Sequence, residues 1–170
     1  MILLTLHLKL ALGFVVAGLI LDFIGLVTPY WAIAITTSNQ EMRLGFWTHE
    51  YTGIFTAAKG FSVLGFMLYV ALTIVFIIYL TKGMPQMILT SLILAFVTAG
   101  VVILGCIFWA SGIGNYNASL SWSFFMCAIA GILAAAAGGC ITSARNASML
   151  VVSGTSSSTT RTTRTVVVSA

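Results

Sequence analysis

Polar residues interrupt this chain so rarely that the interruptions, rather than the apolar stretches, mark its parts. Four long apolar runs stand out: about 10–28 (LALGFVVAGLILDFIGLVT), 61–80 (FSVLGFMLYVALTIVFIIYL), about 87–110 (MILTSLILAFVTAGVVILGCIFWA) and about 120–142 (LSWSFFMCAIAGILAAAAGGCIT). Each is near or above the roughly 20 residues that a helix needs to cross hydrocarbon. The last three hold no charged residue and the first holds only Asp22. Runs this long and unalternating predict helices, because lipid offers the backbone no hydrogen-bond partner and barrel strands would be shorter and alternating. The fold expected is an all-α membrane protein, a left-handed four-helix transmembrane bundle.

The connections between the runs are unequal. TKGMPQ and SGIGNYNAS are short and force antiparallel neighbours. The segment 29–60 is long, and within it YWAIAITT and MRLGFWTH alternate and are rich in aromatic and β-branched residues. These two stretches predict a small antiparallel β-sheet in the first loop. Residues 143–170 carry thirteen Ser/Thr and no acidic group. Such a segment buries too little apolar surface to offset its chain entropy, so a disordered tail is expected after a 1–142 membrane domain.

Composition sharpens the class. The chain is 60% hydrophobic and 6% charged, too few charges to cover a water-soluble exterior. The net charge of +4 is dispersed and gives no nucleic-acid footprint. Its placement sets a direction. Lys9, Lys82, Arg145, Arg161 and Arg164 fall on one side, against Arg43 and Lys59 on the other. The positive-inside rule then puts both termini in the cytoplasm and 29–60 outside the cell, in a multi-pass plasma-membrane protein. The small residues Ala32 and Ala34 have the spacing of a signal-cleavage site, but the first apolar run is longer than a signal core and is expected to stay.

The first loop carries a resemblance. Trp31 lies just past the first run, in TPYW; Gly45-Phe46-Trp47 follows, and Lys59 in TAAKGF stands at the entry to the second run. In this the chain resembles the claudin, peripheral-myelin-protein and epithelial-membrane-protein superfamily, whose members have a Trp, a Gly-Leu-Trp motif, a pair of cysteines and a basic residue in that order across four spans. The resemblance implies a non-enzymatic protein of cell junctions, acting in adhesion or a paracellular barrier through its first loop. The channel-subunit branch of that superfamily implies an alternative, an auxiliary subunit of an ion channel or receptor. The chain departs from the pattern in having no cysteine before Cys106, so the loop disulfide is absent. Trp31, Gly45, Phe46, Trp47 and Lys59 are therefore expected to be scaffold, with the tryptophans holding the sheet at the membrane surface.

Polar groups inside the runs are the remaining candidates. An ionised Asp near a helix centre costs about 2.5–3.5 kcal/mol on insertion scales. Asp22 is expected to be a carboxyl gripping the bundle, with Ser62, Ser121 or Trp122 as donor; a third reading makes it a proton or transport site. Gly131, Ala135 and Gly139 place small residues at spacing four, as do Ser91, Ala95 and Ala99, and predict close helix packing. Cys140 is a lipidation candidate or a core thiol. Asn117 heads a glycosylation sequon in a very short loop pressed against the membrane, where the transferase is not expected to reach it. The C-terminal VVVSA has the form of a strand for a PDZ-type groove, with Ala a poor anchor. No nucleophile–base pair, metal-ligand cluster or phosphate loop is visible, so no enzyme, metal or cofactor is expected. The partners implied are membrane lipid, a second copy of the chain, or a channel or receptor subunit.

Overall fold

The computed structural model describes residues 2–35, 41–47, 53–114 and 118–162. In chain order the elements are α1 (Ile2–Val27), β1 (Ala32–Ile35), β2 (Glu41–Leu44), α2 (Ile54–Lys82), α3 (Pro85–Ile113), β3 (Ala118–Leu120) and α4 (Trp122–Thr162). All four helices are long and apolar enough to cross a membrane. Each helix packs on its neighbours in the ring α1–α2–α3–α4, with the sparsest contact between α1 and α2.

The helices overrun the apolar runs. α2 begins at Ile54, because Ile54-Phe55-Thr56-Ala57-Ala58 continues the helical face and Phe55 and Ala58 are buried. It ends where Gly83 adopts the left-handed conformation (φ 65°) and returns its N–H to the Tyr79 carbonyl at 2.9 Å. Pro85 then opens α3, where a missing N–H costs nothing. α4 continues beyond 142, and its backbone is helical to Thr162, where the sequence predicts a tail without structure. Extending a helix that already exists adds a hydrogen bond per residue without a new nucleus, a term the compositional argument leaves out. Residues 163–170, with the VVVSA end, lie outside the described residues.

Helix packing relies on small residues, but on a different face of α4 from the one expected. Ala130, Gly131, Ala134, Ala137, Gly138 and Ile141 are buried. Gly131 lies against Ile103 and Val102, and Gly138 against Phe96. Ala135 is half-buried, and Gly139 is exposed with open space where a Cβ would stand. On α3 the expected stripe Ser91, Ala95, Ala99 is buried throughout.

One end of the bundle carries a three-stranded antiparallel sheet in the order β2–β1–β3. The expectation of a sheet within the first loop is met in two strands only. The third, β3, comes from the connection between α3 and α4, and pairs Ala34 with Ala118, Ile33 with Ser119 and Ala32 with Leu120. Lys9, Lys82 and Arg145 lie toward the opposite end.

Candidate functional site

The sheet end is built on the last turn of α1. A helix C-terminus leaves carbonyls without intrahelical donors. Three successive carbonyls accept side-chain donors here, the first of them, Ile24 O, in addition to the Thr28 N–H at 3.1 Å. The Thr28 hydroxyl donates to Ile24 O at 2.7 Å, the Trp31 indole to Gly25 O at 2.7 Å, and the Trp47 indole to Leu26 O at 3.0 Å. Gly45 lets the strand pass close to Pro29, for a Cβ there would stand 2.6 Å from the Pro29 Cα. Trp31 and Trp47 thus fix the loop to α1, and Gly45 to the Pro29 that follows it.

Beneath the sheet these residues form an aromatic core. Trp31 packs edge-on to Phe46 (4.0 Å between centroids) and to Trp109 (5.2 Å), while Phe46 stacks on Trp109 at 4.9 Å. Phe55 meets Trp109 edge-on at 5.1 Å. Trp31, Phe46 and Trp109 are wholly buried, whereas the Trp47 ring is 62% exposed. Trp109, near the end of α3, is therefore core. Lys59 stands half-buried in the second turn of α2. Ala32, Leu44 and Leu120 turn toward this core, which leaves Ile33, Arg43 and Ser119 on the other face of the sheet.

That outward face has an ordered edge. Arg43 donates from Nη1 to the Tyr30 hydroxyl at 2.8 Å and places its guanidinium carbon 4.8 Å from the Tyr30 ring centroid. Tyr30 in turn packs on Trp122, with centroids 5.5 Å apart. The backbone joins in: Ser121 N–H donates to Trp31 O at 3.0 Å and Ser123 N–H to Tyr30 O at 3.2 Å. The Thr28 and Ser123 hydroxyls lie 2.8 Å apart, tying α1 to α4.

Asp22 is buried (1% exposed) in the bundle below this platform. None of the expected donors reaches it. Ser62 packs at Gly105, Trp122 lies on Tyr30, and Ser121 uses its backbone on Trp31. The neighbour is Cys127, whose thiol points at the Asp22 main-chain oxygen at 3.9 Å, and Asp22 Oδ2 has no hydrogen-bond partner among the described residues. One helical turn deeper, the Tyr69 hydroxyl donates to Ala130 O at 2.7 Å and fills the notch left by Gly18. Cys140 is half-buried beside Ala11, Phe76 and Ile141. Asn117 lies outside the described residues, while its sequon partners Ala118 and Ser119 are in β3.

The sequence missed Tyr30, Arg43, Thr28 and Ser123. The only signal for the first two was position: an aromatic residue just past a helix end, and a cation at mid-strand. The chain matches no protein-family model, and no curated protein matches it.

Proposed function

We propose that the chain is a claudin-like, non-enzymatic protein of the plasma membrane. Its sheet end is extracellular, its termini are cytoplasmic, and it acts where cells touch, in adhesion or a paracellular barrier. One observation carries this reading. Both loops at that end are spliced into a single sheet, clamped to the bundle by Trp31, Phe46 and Trp109, so the outward face of Ile33, Arg43 and Ser119 is held rigid. A pre-ordered surface loses little entropy on meeting a partner, which suits weak contacts repeated across two membranes. Glu41 and Glu50 nearly cancel Arg43 and Lys59 in the first loop, so the reading includes no strong charge preference.

The test is a mosaic culture of cells with and without the tagged chain. Enrichment where two expressing cells meet, lost on Ile33→Arg, supports adhesion. An even distribution over all surfaces discards it.

The auxiliary-subunit reading is favoured by one separate feature. Gly139 faces open space on α4 with Ala135 half-exposed one turn away, a surface on which another transmembrane helix can approach closely. Recovery from native membranes with a larger channel in fixed ratio, without self-association, would support that role over adhesion.

A further inference from the structure

We propose that Arg43, Tyr30 and Trp122 form a binding site for the phosphodiester headgroup of a phospholipid in the outer leaflet. The inference rests on the membrane-spanning reading with the sheet outside. Its starting point is the direction taken by Arg43. A cation on an exposed strand normally extends into solvent; this one folds back over the ring of Tyr30, three residues past the end of α1, and is held there by the 2.8 Å bond from Nη1.

Trp122 sets the depth of that cation. It is the first residue of α4 and is 45% exposed. Phe125, Ile129 and Ile132 follow at helical spacing on the same face, 53%, 45% and 62% exposed. In a bilayer this stripe meets acyl chains, and Trp122 closes it at the level where amphipathic rings sit among headgroups. The guanidinium, stacked on Tyr30 and through it on Trp122, is therefore at phosphate level and beside an acyl-chain track.

The donor inventory fits the ligand. A guanidinium has five N–H donors in a fixed plane and binds phosphate through two of them at once. One is spent on Tyr30, and the ring covers one face. The remaining edge stays available, since Arg43 has no carboxylate partner among the described residues. Glu41, the nearest charge on the same strand, makes no ion pair with it. A phosphate oxygen pair supplies what this edge lacks, and the lipid tail continues along Phe125 and Ile129.

The test uses the full chain purified in mild detergent and native mass spectrometry with three added lipids of identical chains: phosphatidylcholine, phosphatidylglycerol and diacylglycerol. The chain retains either phospholipid about tenfold more tightly than Arg43→Gln does, the size of one charge-assisted contact. Arg43→Lys falls between them, and diacylglycerol does not distinguish the variants. If Arg43→Gln does not fold, Tyr30→Phe carries the test with a loss of about threefold, from the aiming bond alone. Equal retention by the variants overturns the proposal, as does equal discrimination with diacylglycerol. Competition by inorganic phosphate alone at millimolar level makes it a free-anion site and also overturns it. If Arg43→Gln keeps its lipid but loses enrichment at cell contacts, Arg43 serves a protein partner instead. Release of the chain from membranes by alkaline carbonate removes the membrane reading itself, whereas a resident chain with an indifferent Arg43 removes only the lipid site.

Discussion

The Trp31 indole donates to the Gly25 carbonyl across 2.7 Å, so the residue that anchors the sheet's aromatic core also caps the helix below it. Trp31→Phe keeps most of the ring and removes the donor. It should lower stability in detergent by about 1–2 kcal/mol, because the buried carbonyl keeps only the longer bond from the Thr28 hydroxyl, at 3.4 Å. The matching change at Trp47, whose ring is exposed, should cost less than about 1 kcal/mol, since water replaces the donor. Thermal unfolding of the two purified variants checks the contrast; equal losses would mean that the caps are not what these indoles supply.

Gly18 and Tyr69 are coupled through one hydroxyl. Gly18→Ala drives a methyl into it and should destabilise by about 1–3 kcal/mol, while Tyr69→Phe gives up one bond for about 0.5–1.5 kcal/mol. The double variant should cost clearly less than their sum, because the phenylalanine vacates the space the methyl needs. A double-mutant cycle on unfolding midpoints measures it, and strict additivity would count against the contact.

Asp22 Oδ2 has no hydrogen-bond partner among the described residues, and the carboxyl's polar neighbour is the weakly donating Cys127 thiol. Asp22→Asn removes the chance of a buried charge and should leave the protein within about 1 kcal/mol of the parent, on the more stable side. Expression level and melting temperature report this directly. A large loss would show that the carboxyl holds something these contacts do not include.

The pairing of β1 with β3 can be trapped. Ala34 and Ala118 are opposite one another, so cysteines placed there should close a disulfide under mild oxidation. Cysteines at Ala34 and Leu120 are offset along the strands and should not. Peptide mapping by mass distinguishes the two, and bridging by the offset pair alone would shift the register by two residues.

The bundle was legible because apolar runs without charge have one solution in lipid. The helix ends were less so. Lys59 and Gly60 break the hydropathy of α2 without breaking its backbone, so the apolar run starts at 61, seven residues after the helix begins at Ile54. β1 and β2 showed in their alternation, whereas Ala118-Ser119-Leu120 is too short to alternate and becomes a strand only because β1 offers it an edge. On α4 the run Ala134–Ala137 satisfies a spacing-four pattern on every face, and only the neighbours Phe96, Val102 and Ile103 decide which face is buried. Asp22 could not be paired from sequence, since its neighbour Cys127 lies 105 residues away and a thiol gives no charge signal.

The late arrival of β3 has a consequence for biogenesis. During synthesis β1 and β2 emerge together, but the strand that finishes their sheet is made only after two further helices, α2 and α3. A chain cut after α3 would lack β3 and leave β1 with one edge unpaired. Completion of the sheet therefore waits on α1, α2 and α3, and the last strand joins β1 immediately before α4 begins.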